Sequence, residues 1–297
     1  MKPFRLLLFC LAGFVALPAA RAQFSVQMSI KEHLYILHEP LIATVNLTNN
    51  SGRDITLSDT PQFQWFGFRI SGAEDRIIPP RGSNYHLDPL TVHAGETVKR
   101  SVNLNELYEL GDFGIYAIKA EIYCSTFDKF YSSRPFTIEL TEGRQLWKQV
   151  VGVPEGMKNA GQMHVFTLLA HQRGEGNLLF LRVEDQDDGS VFCTFPLARM
   201  VDGAKPEMQF DSSNNFYVLQ LIGDKAYVLS KVSANGQFLG QTTYSAEKSR
   251  PFLRKLANGA LQLVGGRRED QSGPAPGSAA PAKLSDRPAG LPSGLGR

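Results

Sequence analysis

The sequence predicts an all-β fold in two domains, and three observations carry that prediction. Through the first half, apolar and polar residues alternate with the period of two that belongs to a half-buried strand. The runs are short and are separated by Gly, Asn, Asp and Ser turn chemistry. The second half holds an imperfect repeat with a period near 45 residues, the size of a unit of about four strands.

Ahead of the strands, Met1 to Ala22 reads as a secretory signal peptide. Lys2 and Arg5 form the basic start, Leu6 to Leu17 the apolar middle, and Ala20-Arg21-Ala22 a small-x-small cleavage site. The run breaks at Pro18, short of the roughly 20 apolar residues that cross a bilayer. Leu7-Leu8-Phe9 lacks the small residues that precede a lipidated cysteine at Cys10. The expectation is a secreted or periplasmic protein of bacterial character, with no transmembrane segment once the signal is removed.

Cleavage changes the charge. The chain of 297 residues has 31 Lys and Arg against 29 Asp and Glu, and Lys2, Arg5 and Arg21 leave with the signal. What remains is 28 against 29, a net charge of −1. No Lys/Arg cluster stands out, which disfavours a nucleic-acid partner.

The first domain is expected over 23–142. Phe24, Val26, Met28 and Ile30 share one strand face, and Leu41, Ala43, Val45 and Leu47 repeat the pattern before the turn at Asn49-Asn50-Ser51-Gly52. Further runs fall at Asp54 to Leu57, Phe63 to Ile70, Arg76 to Ile78, Glu96 to Leu104, Gly114 to Cys124 and Lys129 to Leu140. Strands at this spacing predict a β-sandwich. Asp112-Phe113-Gly114-Ile115-Tyr116, followed in phase by Ile118, Ala120 and Ile122, matches the tyrosine corner of immunoglobulin-like domains, with Ile118 where antibody domains carry cysteine.

The order of landmarks resembles the proteinase-inhibitor-like immunoglobulin domains of bacterial chains. The likeness lies in Val45-Asn46-Leu47-Thr48-Asn49, Phe66-Gly67-Phe68-Arg69-Ile70, Leu90-Thr91-Val92-His93-Ala94-Gly95-Glu96 and Gly114-Ile115-Tyr116. It implies an immunoglobulin-like β-sandwich and, more loosely, an inhibitor activity.

A linker is expected over 143–161, with a short helical turn near Gln145 to Val150 and Trp147 packed at the junction. The repeat-containing domain follows over 162–266. Its first copy runs through Phe180 to Glu184, Asp188 to Phe192, Lys205 to Met208 and Asn215 to Leu219. The second runs through Tyr227 to Lys231, Asn235 to Leu239, Arg250 to Leu253 and Asn258 to Leu263. The offset is 47 residues from Gly189 to Gly236 and 45 from Pro206 to Pro251. Two such units resemble propeller blades but do not close a ring, so an antiparallel β-meander capped by the sandwich is preferred to a partial propeller. Residues 267–297, rich in Pro, Gly, Ala and Ser, are expected to be a disordered tail.

Chemistry-bearing motifs are sparser. None of the six histidines, His164 and His171 included, has a metal-ligand spacing, and no hydrolase elbow, phosphate loop or dinucleotide fingerprint occurs in the mature chain. Cys124 and Cys193 can form a disulfide that closes a loop of about 70 residues for on the order of 4 kcal/mol. Geometry decides whether they meet, and two buried reduced thiols are preferred. Asp185, Asp187 and Asp188 are a calcium candidate, weighed against a plain hairpin turn at Asp188-Gly189, which is favoured. Phe63 and Trp65 fall on the strand face opposite Phe66, Phe68 and Ile70, so they form an aromatic binding platform unless another element covers them.

These readings converge on an exported, non-catalytic protein that binds or has a structural role at the cell envelope, without cofactor, and partners another envelope protein or a glycan. A proteinase inhibitor and a carbohydrate-binding or enzyme-accessory module are the alternatives.

Overall fold

A computed structural model describes residues 23–82 and 87–269. The signal segment 1–22 and residues 270–297 of the expected tail lie outside the described residues. The all-β expectation holds: the described chain consists of mostly antiparallel sheets with one helical turn and one 3₁₀ turn.

The first half runs β1 (Phe24–Ile30), β2 (Leu34–Ile36), β3 (Ile42–Asn49), β4 (Ile55–Leu57), β5 (Phe66–Ser71), β6 (Ile77–Ile78), β7 (Leu90–Val92) and β8 (Thr97–Asn103). The turn α1 (Leu104–Leu107) leads to β9 (Gly114–Cys124), β10 (Lys129–Ser132) and β11 (Phe136–Thr141). One sheet has the order β1-β3-β8; the other has β2-β11-β9-β5-β6, with β10 also on β9. β2 pairs β11 in parallel, so the chain leaves the first sheet after β1 and joins the second.

Alternation explains the packing. Ala43, Val45 and Leu47 from β3 and Tyr116, Ile118, Ala120 and Ile122 from β9 point into one core shared by both sheets. Each large aliphatic side chain so buried contributes about 1.5–3 kcal/mol. The Tyr116 hydroxyl donates to the Asp112 carbonyl at 2.8 Å, and Ile118 is fully buried two residues on.

The single strand expected over Lys129 to Leu140 is broken between β10 and β11. Pro135 has no N–H for the ladder, and Ser133 bridges the break. Its N–H donates to the Ala120 carbonyl and its Oγ accepts the Ala120 N–H, both at 3.0 Å.

The second half begins earlier than expected, since residues 144–152 of the expected linker form β12 (Arg144–Gly152). It pairs β13 (Met163–Arg173), and a register shift between Gln145 and Trp147 resets its phase and hides the strand period. Trp147 lies within this half, stacked on Phe216 at 5.1 Å, rather than at the junction between domains. β14 (Gly176–Asp185) and β15 (Val191–Arg199) complete a four-stranded sheet.

Next come β16 (Glu207–Phe210), β17 (Phe216–Leu221), β18 (Ala226–Val232), β19 (Phe238–Ser245), β20 (Phe252–Lys255), β21 (Leu261–Val264) and β22 (Arg267–Glu269). They form a five-stranded sheet, β16-β17-β18-β19-β22, and a two-stranded one, β20-β21. Each repeat copy therefore straddles two sheets: β14 and β15 lie in the first, β16 to β19 in the second, β20 and β21 in the third. The tail boundary at 267 moves as well, because β22 adds to β19 through backbone bonds that need no apolar side chain. Phe166, Leu181, Phe195, Phe216 and Val218 form a core between the four- and five-stranded sheets.

The two halves meet through a small, specific contact. Ile36 of β2 packs with Leu169 and Phe180. At Gly143 a Cβ would lie 3.0 Å from the Leu169 Cβ, so the chain crosses with no room for a side chain. Around this seam, Arg182 Nη2 donates to the Leu37 carbonyl at 2.6 Å and Thr141 Oγ1 bonds His171 Nε2 at 2.9 Å.

Candidate functional site

The expected platform of Phe63 and Trp65 does not form. Thr60 and Phe63 close a tight turn, with Thr60 N–H on the Phe63 carbonyl at 2.8 Å and Phe63 N–H on Thr60 Oγ1 at 3.0 Å. Asp59 Oδ1 then accepts the Trp65 N–H at 2.9 Å, and β5 starts only at Phe66. Strand phase therefore does not extend back to Phe63. Trp65 turns into the core of the first half at 1% exposure, while Phe63 remains 44% exposed.

Phe63 instead joins two residues that periodicity had not singled out. Tyr123 sits near the end of β9, out of phase with inward-pointing Ile122, and pairs directly across the hairpin with Phe130 of β10. Phe63 lies 4.8 Å from the Tyr123 ring and 5.2 Å from Phe130, and Tyr123 lies 4.9 Å from Phe130. The three rings close into a triangle and meet at steep angles, the Phe63–Phe130 pair at 85°. Tyr123 is thereby covered to 7% exposure, although its strand phase points outward. Phe130, at 45%, and Phe63 form an exposed aromatic knob.

The surroundings are polar. The Tyr123 hydroxyl donates to Asp128 Oδ1 at 2.8 Å, and that bond, with burial, holds the phenol pKa above its ordinary value. Asp128 adopts a left-handed backbone, φ 46°, which closes the hairpin. The next row of the sheet places Gly67 beside Glu121 and Ser132, and the row beyond it pairs Arg69 with Lys119. Gly67 has open space above it, so the knob stands at the head of a step lined by charge.

Among the described residues, the knob stands beside a sheet edge. β2 pairs β11 over Glu139 to Thr141 only, and among the described residues β10 has no strand partner other than β9. Such an edge leaves backbone donors and acceptors available.

The remaining candidates do not belong to the knob. Cys124 and Cys193 are both free thiols and do not form the disulfide: Cys124 belongs to the core of the first half, while Cys193 packs against the core of the second half. Burial pushes the Cys193 thiol up to about 12, far from a nucleophile's range. Asp185 Oδ1 accepts the N–H of Asp187 at 2.7 Å and of Asp188 at 3.3 Å, and Asp188 Oδ1 accepts that of Ser190 at 2.7 Å. These carboxylates cap the hairpin turn. Among the described residues, no group of three or more His, Cys, Asp or Glu is placed to hold a metal ion. His164 bonds the Ala234 carbonyl at 2.9 Å within the interior of the second half.

No family model, curated protein or solved structure matches the chain. Among the described residues, no helix is long and apolar enough to cross a membrane.

Proposed function

We propose that this chain is an exported, non-catalytic binding protein that engages another envelope protein through the Phe63–Tyr123–Phe130 knob of an immunoglobulin-like domain. The observation that carries the reading is the knob itself: two half-exposed phenylalanines, locked by a buried tyrosine, beside a strand edge with no partner strand among the described residues. Rigid aromatic anchors of this type dominate protein–protein recognition, and an open edge adds main-chain hydrogen bonds to a partner strand. Export rests on the segment Met1 to Ala22, and the immunoglobulin-like assignment on the Tyr116 corner together with the strand order.

A protein partner fits better than a glycan. A sugar stacks on an open, flat ring face, whereas Phe63 and Phe130 are packed edge against face, both tilt against Tyr123, and Trp65 is withdrawn into the core. The test is affinity capture from an envelope extract with the mature chain and with a variant carrying Phe63→Ser and Phe130→Ser. A partner held by the first and lost by the second, with the variant still folded at the assay temperature, supports the reading. Equal capture by both contradicts it. A protease panel and a glycan titration run alongside, and a stoichiometric hit on either replaces this reading with inhibition or carbohydrate binding.

A further inference from the structure

A cavity of about 340 Å³ opens between the five-stranded sheet and the segment that leads into β20. Leu219 and Leu221 of β17 and Tyr227 of β18 line it, while Lys205 and Arg250 stand at its rim as exposed residues. The two cations are equivalent positions of the internal repeat. Lys205-Pro206 and Arg250-Pro251 lie 45 residues apart, and each proline biases the residue before it toward an extended backbone. Because each repeat copy straddles two sheets, the same position of both copies reaches one cavity.

Electrostatics gives the site its sign. Among the described residues, neither Lys205 nor Arg250 has a carboxylate within 4.0 Å. Among the described lining residues the one acid is Glu207, whose Oε1 accepts the Leu253 N–H at 2.9 Å, which ties it to the positioning of β20. The Arg250 guanidinium lies over the Tyr227 ring at 6.0 Å, held at the rim by the π face. An apolar floor beneath two cations that have no ion-pair partner among the described residues, in a volume within the range of small-molecule sites, is complementary to an amphiphilic anion.

We propose that this cavity binds a small organic carboxylate, its apolar body on Leu219, Leu221 and Tyr227 and its carboxylate between Lys205 and Arg250. The site is separate from the aromatic knob and does not depend on it.

The test is calorimetric titration of the mature chain with 2-naphthoate, its neutral counterpart 2-naphthamide, and inorganic phosphate. Saturable naphthoate binding is expected, weakened about tenfold in Lys205→Gln and in Arg250→Gln, the loss of roughly one charge-assisted contact. Naphthamide is expected to bind at least about tenfold more weakly, and phosphate to displace naphthoate only weakly. Both substitutions are at exposed positions, and unchanged thermal unfolding confirms that the variants fold. No saturable naphthoate binding, equal affinity for the amide, full affinity in both variants, or displacement by phosphate at equal concentration would each overturn the proposal.

Discussion

Glu39, in the loop after β2, and Arg173, the last residue of β13, form a bidentate ion pair with both N–O distances at 2.7 Å. Their side chains are only 7% and 11% exposed. The guanidinium also sits 5.2 Å from the Tyr35 ring and 5.3 Å from Phe180, one aromatic from each half of the molecule. This pair ties the two halves of the chain together, and removing one partner strands a buried charge. Glu39→Gln or Arg173→Met alone is expected to cost about 3–5 kcal/mol, and Glu39→Leu combined with Arg173→Met markedly less than the sum. Denaturant unfolding of wild type, singles and double checks this, and simple additivity would contradict it.

Stability should also fall with acid, through the same seam. Burial, reinforced by the adjacent Arg173 charge, lowers the His171 pKa from 6.5 to about 4. Between these values the unfolded chain takes up a proton that the folded one refuses. The stabilisation is therefore complete above about pH 6.5 and is lost as pH falls toward 4, by up to roughly 1.4 kcal/mol per unit. His171→Gln should remove this component from a profile of unfolding midpoint against pH, and an unchanged slope would refute the assignment.

Trp65 and Phe63, two residues apart, should behave as opposites. Trp65→Ala empties a core site and is expected to cost about 3–5 kcal/mol. Phe63→Ala removes a surface edge contact and is expected to cost less than about 1.5 kcal/mol. Thermal melts of the two variants decide the matter, and equal losses would mean that the pair is placed wrongly.

Gly236 gives a sharper packing test. It adopts φ 76°, and a Cβ there would meet Cys193 Sγ at 2.7 Å and Val183 Cβ at 3.2 Å. Gly236→Ala is expected to destabilise by about 2–4 kcal/mol, from left-handed strain and overpacking together. Adding Cys193→Ala should relieve the overpacking and leave the strain. No recovery in the double variant would show that the thiol contact carries no weight.

Much of the first half was legible because each strand has one dry face. Ala43, Val45 and Leu47, then Tyr116, Ile118, Ala120 and Ile122, announce their orientation by period alone, and Tyr116 with Asp112 announces the corner. The reading failed where a local hydrogen bond overrides period. The Thr60–Phe63 turn separates Phe63 from Trp65, Ser133 replaces a ladder bond before Pro135, and the irregularity at Gln145 and Trp147 disguises β12 as a linker. The knob was half legible. Tyr123 and Phe130 are aromatics at outward phase on two arms of one hairpin, a signal present in the sequence, but their contact with Phe63 depends on a turn that carries no period. The repeat was visible as a spacing, yet spacing does not say where one sheet ends and the next begins.

The most direct measurement is site-specific photo-crosslinking in the native envelope, with Phe130 replaced by p-benzoylphenylalanine and, as a control, the same replacement at exposed Phe192 of the second half. The account predicts one discrete adduct from position 130, lost when Phe63→Ser is added, and none from position 192. Adducts of equal yield from both positions, or none from 130, would contradict it.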